Sequence, residues 1–81
     1  MTQEDIWFVY LLQCVDGTLY CGATNNLEKR IATHNAGKGA RYTRGRTPVV
    51  LIKSWIFNSK SEALQFEYKV KQLSREDKLK F

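Results

Sequence analysis

Two tyrosines, Tyr10 and Tyr20, sit in the adjoining apolar runs of the segment VYLLQCVDGTLYCG. They either pack a small hairpin or work together on a substrate, and strand tyrosines mostly just pack. Arg30 and His34 follow at i, i+4, along the border of the apolar stripe formed by Leu27 and Ile31. A cation beside an imidazole can face a phosphate; the alternative is an exposed helix flank. Glu67 falls within the apolar stripe of Ala63, Phe66, Val70 and Leu73. A carboxylate there must be paired, with Arg30 as a candidate partner, or must bind a divalent cation. Residues 36–48, AGKGARYTRGRTP, carry Lys38, Arg41, Arg44 and Arg46 and no acid. Their glycines let the backbone approach phosphates, and Tyr42 could stack on a base. The alternative for this stretch is a mobile, solvated loop.

Whether the two tyrosines share a surface depends on the turn between them, because side chains alternate along a strand. A two-residue Asp16-Gly17 loop pairs Tyr10 with Ala23 and sends Tyr20 to the other side. A three-residue loop, Val15-Asp16-Gly17, pairs Cys14 with Thr18 and puts Gly17 in the left-handed region. Tyr10 then faces Gly22, Tyr20 faces Leu12, and both rings share one side with open space above Gly22. In that register Cys14 and Cys21 lie on opposite faces and cannot bridge. The local pattern allows both loops.

Residues 6–13 are apolar on both faces and read as a covered strand, and residues 18–24 as its hairpin partner. Asn25 and Glu28 have the spacing of a capping box, so a helix should start there. Asn35-Ala36-Gly37 should end it. Residues 49–57, VVLIKSWIF, are β-branched and aromatic, a third strand. Ser59 and Glu62 open a second helix that runs to about Leu73, and a helical tail over 75–81 follows Ser74. The expected class is α+β: a small three-stranded antiparallel sheet with packed helices, in the order β-β-α-β-α-α.

The chain has 81 residues, enough for one domain over 1–81. Hydrophobic residues at 43% and charged residues at 26% describe a globular chain and not a disordered one. The net charge of +5 and a pI near 9.4 point to a polyanion, of which nucleic acid is the usual one, or to lysines that only solvate the surface. The longest apolar run, 6–12, is too short to span a bilayer, and Glu4 and Asp5 stand where a secretion signal would be basic. Two cysteines without a CxxC pair, and a single histidine, make neither a disulfide framework nor a zinc site. A cytoplasmic protein with reduced thiols and no membrane partner is expected.

Together these residues resemble the GIY-YIG nuclease domain. Val9-Tyr10-Leu11 stands at the first signature and Tyr20-Cys21-Gly22 at the second; Arg30, His34 and Glu67 match the helix residues and the metal-binding glutamate that follow. The runs LEKRIATHN and GKGARYTRGR resemble the small stand-alone, YhbQ-like subgroup, which is similar to the amino-terminal nuclease domain of the excision-repair protein UvrC. Only the tyrosine of the first triplet is kept, and Cys21 replaces the usual isoleucine; Val9, Leu11 and Cys21 should all face away from Tyr10. No asparagine follows Glu67, unlike in several larger members.

The resemblance implies a metal-dependent endonuclease, structure-selective on DNA and linked to DNA repair or processing. Tyr10 would be the base or position the water, Tyr20 would hold water or phosphate, and Arg30 would bind the scissile phosphate. His34 would hydrogen-bond Tyr10 or relay its proton, and Glu67 would hold one Mg²⁺ or Mn²⁺. A phenol with a pKa of about 10 needs a cation or metal nearby to act as a base near neutrality. The alternative is a nucleic-acid-binding module of the same fold with little cleavage.

Overall fold

The computed structural model describes residues 6–81; Glu4 and Asp5, invoked above against a secretion signal, lie outside the described residues. Strands β1 (Trp7–Gln13), β2 (Leu19–Thr24) and β3 (Val50–Phe57) form one antiparallel sheet in the order β2-β1-β3. Helices α1 (Leu27–Asn35), α2 (Lys60–Lys71) and α3 (Arg75–Lys80) complete the α+β fold, with one turn of 3₁₀ helix at Arg41–Thr43. Among the described residues no helix is long and apolar enough to cross a membrane.

β1 is central, which is why it reads as apolar on both faces. Val9 and Leu11 point to one side, where Cys21 and the α2 residues Ala63 and Val70 close a core extended by Trp55, Phe57 and Phe66. Tyr10 and Leu12 point to the other, with Cys14, Val49, Tyr20 and the α1 residues Leu27 and Ile31. Each helix thus covers its own face, and the two cysteines sit on opposite sides as free thiols.

The hairpin has the three-residue loop. Cys14 N–H donates to Thr18 O at 2.8 Å, Gly17 N–H to Cys14 O at 2.9 Å, and Gly17 has φ +87°. Asp16 Oδ1 accepts from the Thr18 amide and hydroxyl, which settles the turn. Tyr10 therefore pairs with Gly22, and Tyr20 with Leu12.

Two helix boundaries differ from expectation. Asn26, not Asn25, caps α1, its side chain accepting from Lys29 N–H at 3.1 Å. The buried Thr24 hydroxyl oxygen accepts the Asn26 amide at 3.1 Å and holds that residue extended, so the helix starts one position later. Ser59 caps α2 as expected, but α2 ends at Lys71 and not near Leu73. The last turn tightens, with Leu73 N–H donating to Val70 O, because Ser74 already caps α3 through Asp77 N–H.

Candidate active site

Tyr10 and Tyr20 lie on the α1 face of the sheet with ring centroids 6.3 Å apart. Tyr10 is 1% exposed. The space above Gly22 is not open, as the register alone suggested: the end of the Tyr10 ring fills it, and a Cβ on Gly22 would overlap the hydroxyl. The glycine is required because its strand partner's ring lies across it.

His34 is no exposed flank residue. It is fully buried, with Nε2 3.0 Å from Tyr10 Oη and Nδ1 2.8 Å from Thr43 Oγ1. The Thr43 hydroxyl donates to Ala40 O at 2.9 Å, which leaves its oxygen to accept from Nδ1–H and turns the Nε2 lone pair toward the Tyr10 O–H. The Ala40 N–H also points at Nδ1, but from 3.4 Å, too far to compete with the shorter contact. A Cβ on Gly39 would overlap the imidazole, so this glycine serves close approach. Sequence reasoning missed Thr43 and Gly39. The glycines of the loop are the one available signal, and in the sequence alone they point to phosphate approach instead.

Burial is the largest influence on Tyr10 and pushes its pKa up to about 12, against the pull of the Arg30 guanidinium by hydrogen bonding and charge. Tyr20 is also raised, first by burial, with Lys71 and Arg30 opposing and Glu67 reinforcing. Burial and then Arg30 lower His34, so its imidazole is neutral near pH 7. The resting site therefore holds two neutral phenols and a neutral imidazole. The nearby cation alone does not bring Tyr10 into the neutral range.

Tyr20, on the edge strand β2, feels charges from both helices: Arg30 from α1, Glu67 and Lys71 from α2. Glu67 does not pair with Arg30. Its partner is Lys71, one helical turn on, at 2.9 Å, and the Glu67 side chain is 15% exposed. The burial cost is met locally, and Arg30 stays beside the tyrosines. Lys71 is the third residue that sequence reasoning missed, although Glu–Lys at i, i+4 is a familiar helix pair. Among the described residues no group of three or more His, Cys, Asp or Glu forms a metal cluster. A lone, partly exposed carboxylate still fits Mg²⁺, which keeps most of its waters and takes one or two carboxylates plus substrate phosphate.

The basic loop is hydrogen-bonded to the elements around it. Asn35 Oδ1 accepts Val49 N–H at 2.7 Å, and Val15 N–H donates to Arg46 O at 2.8 Å. Lys38, Arg41 and Arg44 are exposed. Arg46 is engaged, 3.4 Å from Asp16 and 4.3 Å above the Tyr42 ring. Tyr42 in turn stacks on Tyr20 at 5.8 Å and is 43% exposed. Its ring already has two partners within the protein.

The chain matches the GIY-YIG catalytic domain over residues 6–80. It belongs to the GIY-YIG family. A UPF0213 protein of Nitratidesulfovibrio vulgaris is 51% identical over 76 residues, 94% of this chain and 69% of that protein. A UPF0213 protein of Staphylococcus haemolyticus is 58% identical over 73 residues, 90% of this chain and 89% of that protein. The solution NMR structure of a UPF0213 protein from Bacillus halodurans is 51% identical, with a TM-score of 0.57 over 90% of this chain and 78% of that one. A second solution NMR structure, of an E. faecalis protein, is 38% identical, with a TM-score of 0.65 over 99% of this chain and 85% of that one. The relatives are thus small UPF0213 proteins, in line with the stand-alone subgroup. In this GIY-YIG chain the residues that adjoin the signature tyrosines, Val9, Leu11 and Cys21, all pack under α2, which accounts for their departure from the signature.

Proposed function

We propose that this protein is a divalent-metal-dependent endonuclease that hydrolyses nucleic-acid phosphodiesters, with structured DNA as substrate in DNA repair or processing in the cytoplasm. The observation that carries the reading is the buried Tyr10–His34 hydrogen bond, 3.0 Å long, beside Arg30 and Glu67. Packing alone does not call for a fully buried imidazole whose two nitrogens both hold hydroxyls.

A phenol with a pKa of about 12 is a poor source of free phenolate. It can still act as a base if it gives up its proton as it receives one. Water attacks phosphorus, its proton passes to Tyr10 Oη, and the Tyr10 proton passes to the neutral Nε2 of His34. The phosphorus–oxygen bond to the leaving group then breaks. Tyr20 orients the water or a phosphate oxygen. Arg30 offsets the charge that develops on the phosphate. Glu67 would hold Mg²⁺ or Mn²⁺, which when bound supplies Lewis-acid stabilisation of the phosphate and leaving oxygen. The Lys71 ammonium must yield its place on that carboxylate. Lys38, Arg41 and Arg44 supply phosphate contacts; Arg46 and Tyr42 do so only by leaving present partners.

The second reading, a binding module with little cleavage, draws on that same Glu67–Lys71 contact, in which a lysine already neutralises the carboxylate. Incubation with nicked, branched and single-stranded DNA, with and without Mn²⁺, separates the two. The nuclease reading expects Mn²⁺-dependent cuts lost in Tyr10→Phe. Binding without cuts on every substrate favours the module.

A further inference from the structure

Two hollows of similar size lie near the tyrosine pair, each with two cations in its lining. One, of about 230 Å³, lies at the start of α1 and includes Lys29 and Arg30. The other, of about 240 Å³, lies between the hairpin turn and α3, lined by Thr18, Leu19, Tyr42, Arg75 and Lys78. The first belongs to the site already described through Arg30. The second has no role in it.

The second hollow is built to be cationic. Arg75 and Lys78, spaced i, i+3, share one face of α3, while Glu76 and Asp77 fall outside the lining. The Arg75 guanidinium is anchored by donating to Gly17 O, which fixes its position and leaves further N–H groups unused. Asp16, the acid that accepts from the lining residue Thr18, is committed to that hydroxyl and to Arg46. α3 itself is tied to the sheet, with Lys53 Nζ donating to Leu79 O at 2.6 Å and Phe81 against Trp55 and Phe66. The hollow also adjoins the tyrosines, because its Tyr42 wall stacks on Tyr20.

We infer that this hollow is a phosphate subsite for the strand, one that flanks the scissile position opposite the Lys29–Arg30 side. The inference rests on the proposed function and adds where the strand runs: from the start of α1, past Tyr10 and Tyr20, to α3. An open hollow with two cations and no acid in its lining suits a sugar–phosphate unit. Arg75 and Lys78 contact the phosphate, and Tyr42 and Leu19 meet the sugar.

Binding of the native chain to a short single-stranded oligothymidylate in EDTA, without cleavage, tests it. Each phosphate neutralised on a single strand contributes roughly −0.7 to the log–log salt slope. Lys78→Ala should make that slope shallower by about this amount, Lys78→Arg should restore it, and Lys69→Ala on the outer face of α2 should leave it unchanged. Amide shifts at Thr18, Leu19 and Lys78 should accompany binding. An unchanged slope in Lys78→Ala, or shifts confined to the α1 side, overturns the inference. Loss of the nuclease reading looks different: no cuts with Mn²⁺, but the same Lys78-dependent slope.

Discussion

The Tyr10 hydroxyl lies 3.0 Å from Nε2 of a histidine with no exposed surface, and the other nitrogen of that ring is held 2.8 Å from Thr43. This relationship makes the 3₁₀ turn at Arg41–Thr43 part of the tyrosine site, since Thr43 sets which nitrogen of His34 accepts from Tyr10.

Removing this acceptor should affect both stability and cleavage. His34→Ala strands the Tyr10 hydroxyl in a buried space, at about 1–3 kcal/mol for the unsatisfied group, while the Thr43 hydroxyl keeps Ala40 O. Cleavage should fall by roughly 10²–10⁴, the usual worth of a positioned proton acceptor. Thr43→Val should also lower cleavage and shift the ¹⁵N signature of His34 toward the other tautomer, while Thr43→Ser restores both. Thermal unfolding, cleavage and ¹⁵N NMR read these outcomes. Full cleavage in Thr43→Val with an unchanged tautomer would sink the relay.

The ionisation states set the pH dependence. Tyr10 keeps its proton in the folded chain up to about pH 12, whereas an unfolded tyrosine loses it near pH 10. The folded state therefore binds more protons in that window, and its stability must fall as pH rises through it, by about 2–3 kcal/mol in all. Tyr10→Phe should flatten this alkaline limb in urea unfolding. His34 has the opposite sign. Its pKa is lowered, so the unfolded chain takes up the proton first and stability falls as pH drops below about 6.5. Cleavage should also decline on that acid side as the neutral acceptor is lost, but at a lower pH than for an exposed histidine.

Gly22→Ala tests the contact across the hairpin. Its methyl group would overlap the Tyr10 hydroxyl and ring end, neither of which has free space to move into. Destabilisation of roughly 1–3 kcal/mol is expected, with cleavage lost beyond what stability explains. A variant of native stability and activity would show the ring free to swing away.

Glu67 and Lys71 divide metal binding from stability. Their contact is half open to solvent on the lysine side, so either loss should change stability by less than about 1 kcal/mol. Glu67→Gln should abolish Mn²⁺ binding seen by electron paramagnetic resonance, along with cleavage. Lys71→Ala should tighten Mn²⁺ binding by freeing the carboxylate. A Glu67→Gln chain that unfolds easily yet still cuts DNA would remove Glu67 from the metal site.

Much of this was legible in the sequence because it follows from spacing. Alternation and turn signals sufficed for the strands, and i, i+4 steps put Arg30 beside His34 and Glu67 inside the α2 stripe. What spacing could not give was depth and partnership. The burial of His34 depends on Gly39 and Thr43 folding back over it, a contact between residues nine apart in sequence that no periodicity predicts. The choice of Lys71 over Arg30 for Glu67 depends on which side of β2 each helix end occupies. The rise in the Tyr10 pKa depends on desolvation outweighing a neighbouring cation, a contest between magnitudes that residue types do not reveal.

The turn at Val15-Asp16-Gly17 carries one further consequence. Its hydrogen bonds ask for a residue tolerant of φ +87° at Gly17 and a short acceptor at Asp16, and they leave Val15 exposed and open to many side chains. They do not leave its length open. Closing the same sequence as a two-residue Asp16-Gly17 loop would pair Val15 with Thr18 and turn β2 over, sending Tyr20 beneath the sheet toward α2 and Cys21 up beside Tyr10. The side chain at Val15 can therefore drift, provided its N–H still reaches Arg46 O, while the closure between Cys14 and Thr18 cannot move by one residue without breaking up the tyrosine pair.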